Sequence, residues 1–167
     1  MTPLPDVLTG KTAPLTAWRL DRARHAPTWD SGEGAFQSGG RWNAKGIRAV
    51  YASLDPSTAV LEVAVHKGFK ILDTQPHRMT RFTIAKPASV HVIQARSISD
   101  KTWLDPNSNT PAQKAWGSER LTKHKIIVLP SAVSTRSWNL VFLAPLASDW
   151  FGSIEQSDFV LDPRLHT

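Results

Sequence analysis

The run Lys125-Ile126-Ile127-Val128-Leu129 constrains this chain more than any other. It is short, apolar and β-branched, so it reads as a strand, and Pro130-Ser131-Ala132-Val133 ends or bends it. Comparable runs recur along the sequence. Residues 16–20 alternate, which sets Arg19 opposite Trp18 and Leu20. Residues 49–52, 79–85, 89–93, 138–143 and 159–162 complete the expected strands. Two segments carry helical spacing. Residues 55–66 have Asp55 or Ser57 near the N-cap, Pro56 in the first turn, and Ala59, Val60, Val63 and Ala64 toward the core, with Gly68 placed to end the helix. Residues 111–124 follow Thr110 as cap, with Ala115, Trp116 and Leu121 as apolar positions and Gly117 as a weak point. Residues 21–37 and 97–110 read as loops, and 1–15 as an extended N-terminal arm. Strands dominate and no βαβα alternation is present. The pattern predicts a compact α+β domain over residues 16–167 with a mixed or antiparallel central sheet.

Composition narrows the function classes. A chain of 167 residues, 41% hydrophobic, can bury one real core. No run approaches the roughly 18 apolar residues of a membrane span. Met1-Thr2-Pro3-Leu4-Pro5-Asp6 has neither a basic n-region nor an apolar h-region, so no secretory signal is expected. Cysteine is absent, which excludes disulfides and fits a reducing compartment; a cytoplasmic location is expected. The net charge of +6 suits nucleic acid, an anionic cofactor or an acidic protein partner. Lys and Arg are scattered among Asp and Glu rather than clustered, so direct nucleic-acid binding by this chain is not expected.

The chemistry is expected where Gly39-Gly40-Arg41-Trp42-Asn43-Ala44-Lys45-Gly46 leads through Tyr51 to Glu62. Glycines allow close backbone approach to a ligand, and an arginine fork suits phosphate. Taken alone, each candidate has an ordinary explanation. Glu62 fits the exposed edge of an amphipathic helix, Tyr51 a core tyrosine with a satisfied hydroxyl, and Ser131 a turn residue. The six histidines do not cluster and no His-Glu-x-x-His run occurs, so no metal site is expected. Gly-x-Ser-x-Gly, Walker and dinucleotide-binding fingerprints are absent.

Together these residues form a recognisable pattern. Trp18-Arg19-Leu20, Gly39-Gly40-Arg41-Trp42-Asn43 with Gly46, Val50-Tyr51-Ala52-Ser53, Ala59-Val60-Leu61-Glu62 and Leu129-Pro130-Ser131-Ala132-Val133 resemble the RES domain family, toxins of RES–Xre toxin–antitoxin pairs. The resemblance spans about residues 16–145. It implies a fold similar to ADP-ribosyltransferases, NAD as substrate, and cleavage of the nicotinamide–ribose bond by hydrolysis or phosphorolysis, with protein mono-ADP-ribosylation as the alternative. It implies Glu62, Arg41 and Tyr51 as catalytic and Arg19, Arg41, Tyr51 and Ser131 as NAD-binding. It also implies an Xre-like helix-turn-helix antitoxin that occludes the NAD cleft in a toxin–antitoxin hetero-oligomer. One departure stands out: where the family commonly carries Asn-Pro near the C-terminus, this chain has Leu143-Ala144-Pro145-Leu146. Two other classes remain as alternatives, a nucleic-acid-binding protein favoured by charge and a noncatalytic interaction module built on its tryptophans.

Overall fold

The structure is a computed structural model describing residues 6–10 and 13–165. Its elements run α1 (Asp6–Gly10), β1 (Leu15–Arg22), α2 (Glu33–Ser38), β2 (Ala49–Ser53), α3 (Pro56–Lys67), α4 (Phe69–Thr74), β3 (His77–Ile84), β4 (His91–Val92), α5 (Pro111–His124), β5 (Ile126–Pro130), β6 (Trp138–Leu143) and β7 (Phe151–Phe159). The strands form one seven-stranded sheet in the order β4-β5-β6-β2-β1-β3-β7. Only β4 and β5 run parallel; every other neighbouring pair is antiparallel. The α+β class with a mixed sheet is therefore as expected.

The β-branched run at 126–130 is buried at every position and sits between β4 and β6, which explains why neither face carries a polar residue. Alternation on the central strands sorts side chains into two cores. Val50, Ala52, Ile126, Val128, Leu140 and Phe142 join Phe82 and Trp29 on one face. Ala49, Ile127, Leu129 and Val141 join Trp42, Trp103 and Leu121 of α5 on the other. The pairing of β1 with β2 narrows to the register pair Trp18↔Ser53, whereas β1 runs alongside β3 from Leu15↔Ile84 to Arg22↔His77. The sheet is thus weakly joined at one seam, and the cleft described below opens there.

Both long helices begin as the sequence directs. Asp55 caps α3, accepting from Thr58 N at 2.8 Å and Thr58 Oγ1 at 2.6 Å, and Thr110 caps α5 through Gln113 N at 3.1 Å. Such caps contribute about 1 kcal/mol each. Gly68, at φ 79°, ends α3.

Several expectations are corrected. Within the expected extended arm, residues 6–10 form a helix and Leu8 is buried; positions 1–5 and 11–12 lie outside the described residues. The 21–37 loop contains a 3-10 helix, Ala23–Thr28, and α2. Trp29 lies between them, its ring 4.8 Å from Phe82 and 5.6 Å from Phe151, so this loop supplies core. Helix α4 starts directly after Gly68 and was not foreseen. The 89–93 strand shrinks to His91–Val92. The last strand is not 159–162 but Phe151–Phe159, an edge strand with both faces largely exposed and no apolar alternation to betray it. Ala115 is exposed, and Gly117 is no weak point. A Cβ there would stand 2.2 Å from Trp42 O, so the glycine is what lets α5 lie against the loop that carries Arg41.

Candidate functional site

A cleft of about 510 Å³ opens at the β1–β2 seam, between α3 and the loops 39–43 and 106–109. Arg19, Arg41, Tyr51 and Glu62 all contribute to its wall. Trp18, Leu20 and Asp21 do so as well, so strand alternation does not separate Arg19 from its neighbours. At the seam β1 has little partner on one side, and side chains from both of its faces reach the opening.

The Gly-Gly-Arg-Trp-Asn block is a folded knot. Gly40 N donates to Asn43 O at 3.0 Å, and the buried Asn43 amide donates to the carbonyls of Ala35, Ala44 and Ile47 at 2.9–3.2 Å. Tyr51 completes it: its hydroxyl donates to Asn43 Oδ1 at 2.7 Å and accepts from Trp42 N at 3.0 Å. A Cβ on Gly40 would come within 2.6 Å of that hydroxyl. The close approach that Gly40 permits is therefore to Tyr51, inside the protein, rather than to a ligand. Burial pushes the Tyr51 phenol well up, against the lowering effects of the Trp42 N–H and the nearby Arg41, so it stays neutral. Its ring remains part of the cleft wall.

The two arginines are held differently. Arg41 donates through Nη1 to Trp103 O at 2.8 Å and Ser108 O at 3.3 Å, and the buried Gln113 amide donates to its backbone carbonyl at 3.2 Å. Among the described residues, the other guanidinium nitrogens of Arg41 have no hydrogen-bond partner. Arg19 donates through Nη1 to Tyr51 O at 2.8 Å and pairs through Nη2 with Asp21 at 2.6 Å, while its buried Nε has no hydrogen-bond partner among the described residues. Burial alone would raise the Asp21 carboxyl; Arg19, the Arg22 N–H and Lys67 outweigh it and hold the group below its ordinary value. Much of the Arg19 charge is thus balanced inside the cleft.

Glu62 lies on α3, about a quarter exposed. Its Oε1 accepts from Ser131 Oγ at 2.8 Å and from Asn139 Nδ2 at 2.6 Å; its Oε2 lies 3.9 Å from His66 Nε2. Ser131 is fully buried behind this carboxylate and does not line the cleft. Its lone pairs take the N–H groups of Val133 and Ser134, at 3.1 and 3.0 Å, which leaves its single proton for Glu62. Ser131, expected among the NAD-binding residues, is thus placed against Glu62 rather than on the cleft wall. Sequence reasoning missed Asn139, His66, Lys67 and Asp21, all of which line the cleft. Asn139 left one signal, an amide amid the apolar run Trp138-Asn139-Leu140-Val141-Phe142.

Chemically, the cleft offers one oriented carboxylate, cationic groups and an aromatic wall. Among the described residues, no group of three or more His, Asp or Glu could hold a metal ion, and no helix is long and apolar enough to cross a membrane.

Comparison with known proteins places this arrangement. The family model described as "RES domain" matches residues 16–162. A protein named "Toxin Res" from Photorhabdus laumondii is 32% identical over 155 residues, covering 90% of this chain and 97% of that protein. Another "Toxin Res", from Pseudomonas putida, is 28% identical over 137 residues, covering 81% and 91%. A chain in the crystal structure of the M. tuberculosis MbcT–MbcA toxin–antitoxin complex shares the fold, with TM-score 0.71 at 17% identity over 95% of this chain and 94% of that one.

Proposed function

The chain belongs to the RES domain family, and from that premise we propose that it is the toxin of a toxin–antitoxin pair that cleaves the nicotinamide–ribose bond of NAD. The observation that carries the reading is Glu62: a carboxylate fixed from behind by buried donors, on the wall of a cleft that also presents Arg19, Arg41 and Tyr51. The cleft volume of 510 Å³ falls in the range of about 300–1,000 Å³ usual for small-molecule sites.

Departure of nicotinamide leaves positive charge on the ribose, as in glycoside cleavage. Nicotinamide leaves readily, so the protein's main task is to stabilise that charge. Glu62 supplies the negative group where the cation develops and orients the acceptor. The free nitrogens of Arg41 take the pyrophosphate, and Arg19 contributes what Asp21 leaves of its charge. The Tyr51 ring supplies an aromatic face for nicotinamide.

An Xre-like helix-turn-helix antitoxin keeps the cleft shut by placing a carboxylate-bearing segment on these arginines. NAD and antitoxin then compete. An uncleavable NAD analogue should bind the free chain and fail to bind the neutralised complex; equal binding to both sinks occlusion. The activity itself is tested by incubating the purified chain with NAD, with and without phosphate, and separating the products. Free nicotinamide is expected in every case. Its partner product, ADP-ribose, ADP-ribose-1″-phosphate or a modified protein, identifies the acceptor. No release of nicotinamide under any condition overturns the proposal.

A further inference from the structure

We propose that Asn139, held in place by Ser53, is a positioning residue that fixes the plane in which the Glu62 carboxylate meets the reacting ribose; the assignment rests on the NAD-cleaving reading above. The geometry begins in the sheet. Ser53 and Asn139 are direct register partners of β2 and β6, so their side chains stand together on the face that carries Tyr51. They are 2% and 8% exposed, among strand residues that are otherwise apolar and buried. A buried amide is costly unless both its ends are bonded. Here both are. Ser53 Oγ donates to Asn139 Oδ1 at 2.8 Å, and Asn139 Nδ2 donates to Glu62 Oε1 at 2.6 Å.

The Glu62 carboxylate, which only accepts, selects between two amide orientations. Turned over, Asn139 would set its own carbonyl oxygen against Glu62 Oε1, acceptor on acceptor. The hydroxyl of Ser53, which can donate or accept, bonds the far end of the amide and keeps it in place. Ser131 then donates to the same Oε1 at 2.8 Å. Both donors converge on one oxygen, which fixes the carboxylate plane and leaves Oε2 without a strong partner; its nearest charged neighbour is His66 at 3.9 Å. A carboxylate held in advance stabilises a developing cation without first reorganising. Asn139 therefore acts through Glu62.

The test measures NAD turnover by the full chain, with thermal unfolding as a control on folding. Asn139→Ala should lower kcat by about 10²-fold, the usual cost of losing one organising hydrogen bond in such a site, and leave KM within about threefold. Ser53→Ala should lower kcat by about fivefold, since the amide then loses only the bond at its far end. Asn139→Asp separates positioning from packing. Near neutral pH the introduced carboxylate repels Glu62 and activity collapses. As pH falls, that carboxyl gains a proton, donates to Oε1 again, and restores part of kcat. His66, Lys67, Arg19 and Asp21 also face the cleft and are common to both proteins, so the readout is the ratio of variant to wild type at each pH. A ratio that rises as pH falls supports the assignment, and a flat ratio overturns it. Unchanged kcat in Asn139→Ala, or a loss confined to KM, also overturns it. If Asn139→Ala fails to fold, the Ser53→Ala and Asn139→Asp measurements decide alone. Absence of NAD loss in the wild-type chain overturns the functional reading and this inference with it, whereas NAD loss that Asn139 substitutions leave untouched overturns only the inference.

Discussion

At one end of the cleft Glu62 rests against two buried neutral donors supplied by β6 and by the turn after β5. At the other, Arg41 hangs from the carbonyls of Trp103 and Ser108, in a loop pinned by Asp100 bonds to Thr102 and Thr110. The anionic group is organised by the sheet and the cationic group by loops. On the proposed reading, the difference follows from what each must do. A carboxylate acting on a transient cation gains from being fixed before that cation forms. A guanidinium that takes a flexible pyrophosphate works in ground and transition states alike and tolerates a softer mount. Damage to the sheet-borne end should therefore appear in turnover, and damage to the loop-borne end in affinity.

The largest effect is expected at the fixed end. Glu62→Gln keeps an oxygen for Ser131 and Asn139 to bond, so the fold should survive, yet kcat should fall by about 10³-fold, roughly 4 kcal/mol, with KM little changed. Nicotinamide release under saturating NAD measures it; a kcat within tenfold of wild type removes Glu62 from the chemistry. Next comes the contact that ties the loop end to α5. Gly117→Ala forces a methyl against Trp42 O and should cost about 3 kcal/mol, seen as a fall in Tm of about 6–12 °C, with a rise in KM as the Arg41 loop is displaced. An unchanged Tm would mean that α5 and this loop are not in rigid contact. Smaller is Arg41→Ala, expected to raise KM about thirtyfold with kcat nearly intact; Arg41→Lys should recover little, because a point charge does not replace a fork. A kcat defect at constant KM would erase the distinction between the two ends.

The smallest effect concerns Asp21, whose carboxyl is held below its ordinary value in the folded chain. A depressed native value means stability that is present above the unfolded value of about 3.9 and lost as pH falls through the native one. Asp21→Asn should therefore lower Tm by about 3 °C at neutral pH, about 1 kcal/mol, and the gap from wild type should close in strong acid. A gap that persists there assigns the loss to shape rather than charge.

How much of this the sequence disclosed depends on what burial leaves visible. Strand β5 is buried on both faces and announced itself by composition alone, and α3 and α5 carried their caps in plain view. Edge strand β7 exposes Gly152, Ser153 and Glu155, pairs Asp158 with Arg78 and Glu155 with Arg81, and so looks like loop. At the site, Arg19, Arg41, Tyr51 and Glu62 were legible as unusual residues in a recognisable order. Their partners were not. Asn139 and Ser53 are ordinary strand residues until the β2–β6 register sets them side by side. Asp21 reads as loop charge until Arg19 turns back to meet it. Gly117 reads as a flaw until the Trp42 carbonyl arrives against it. All but the Arg19–Asp21 pair, which is two residues apart on β1, depend on a long-range approach that no local pattern records.

The separation along the chain between Glu62 and its two donors has a consequence for the life of the protein in the cell. Glu62 leaves the ribosome 69 residues before Ser131 and 77 before Asn139. Until Ser131 and β6 have emerged and β6 has paired with β2, the carboxylate lacks its full set of donors. The site is complete only once residue 139 has emerged and paired across the sheet.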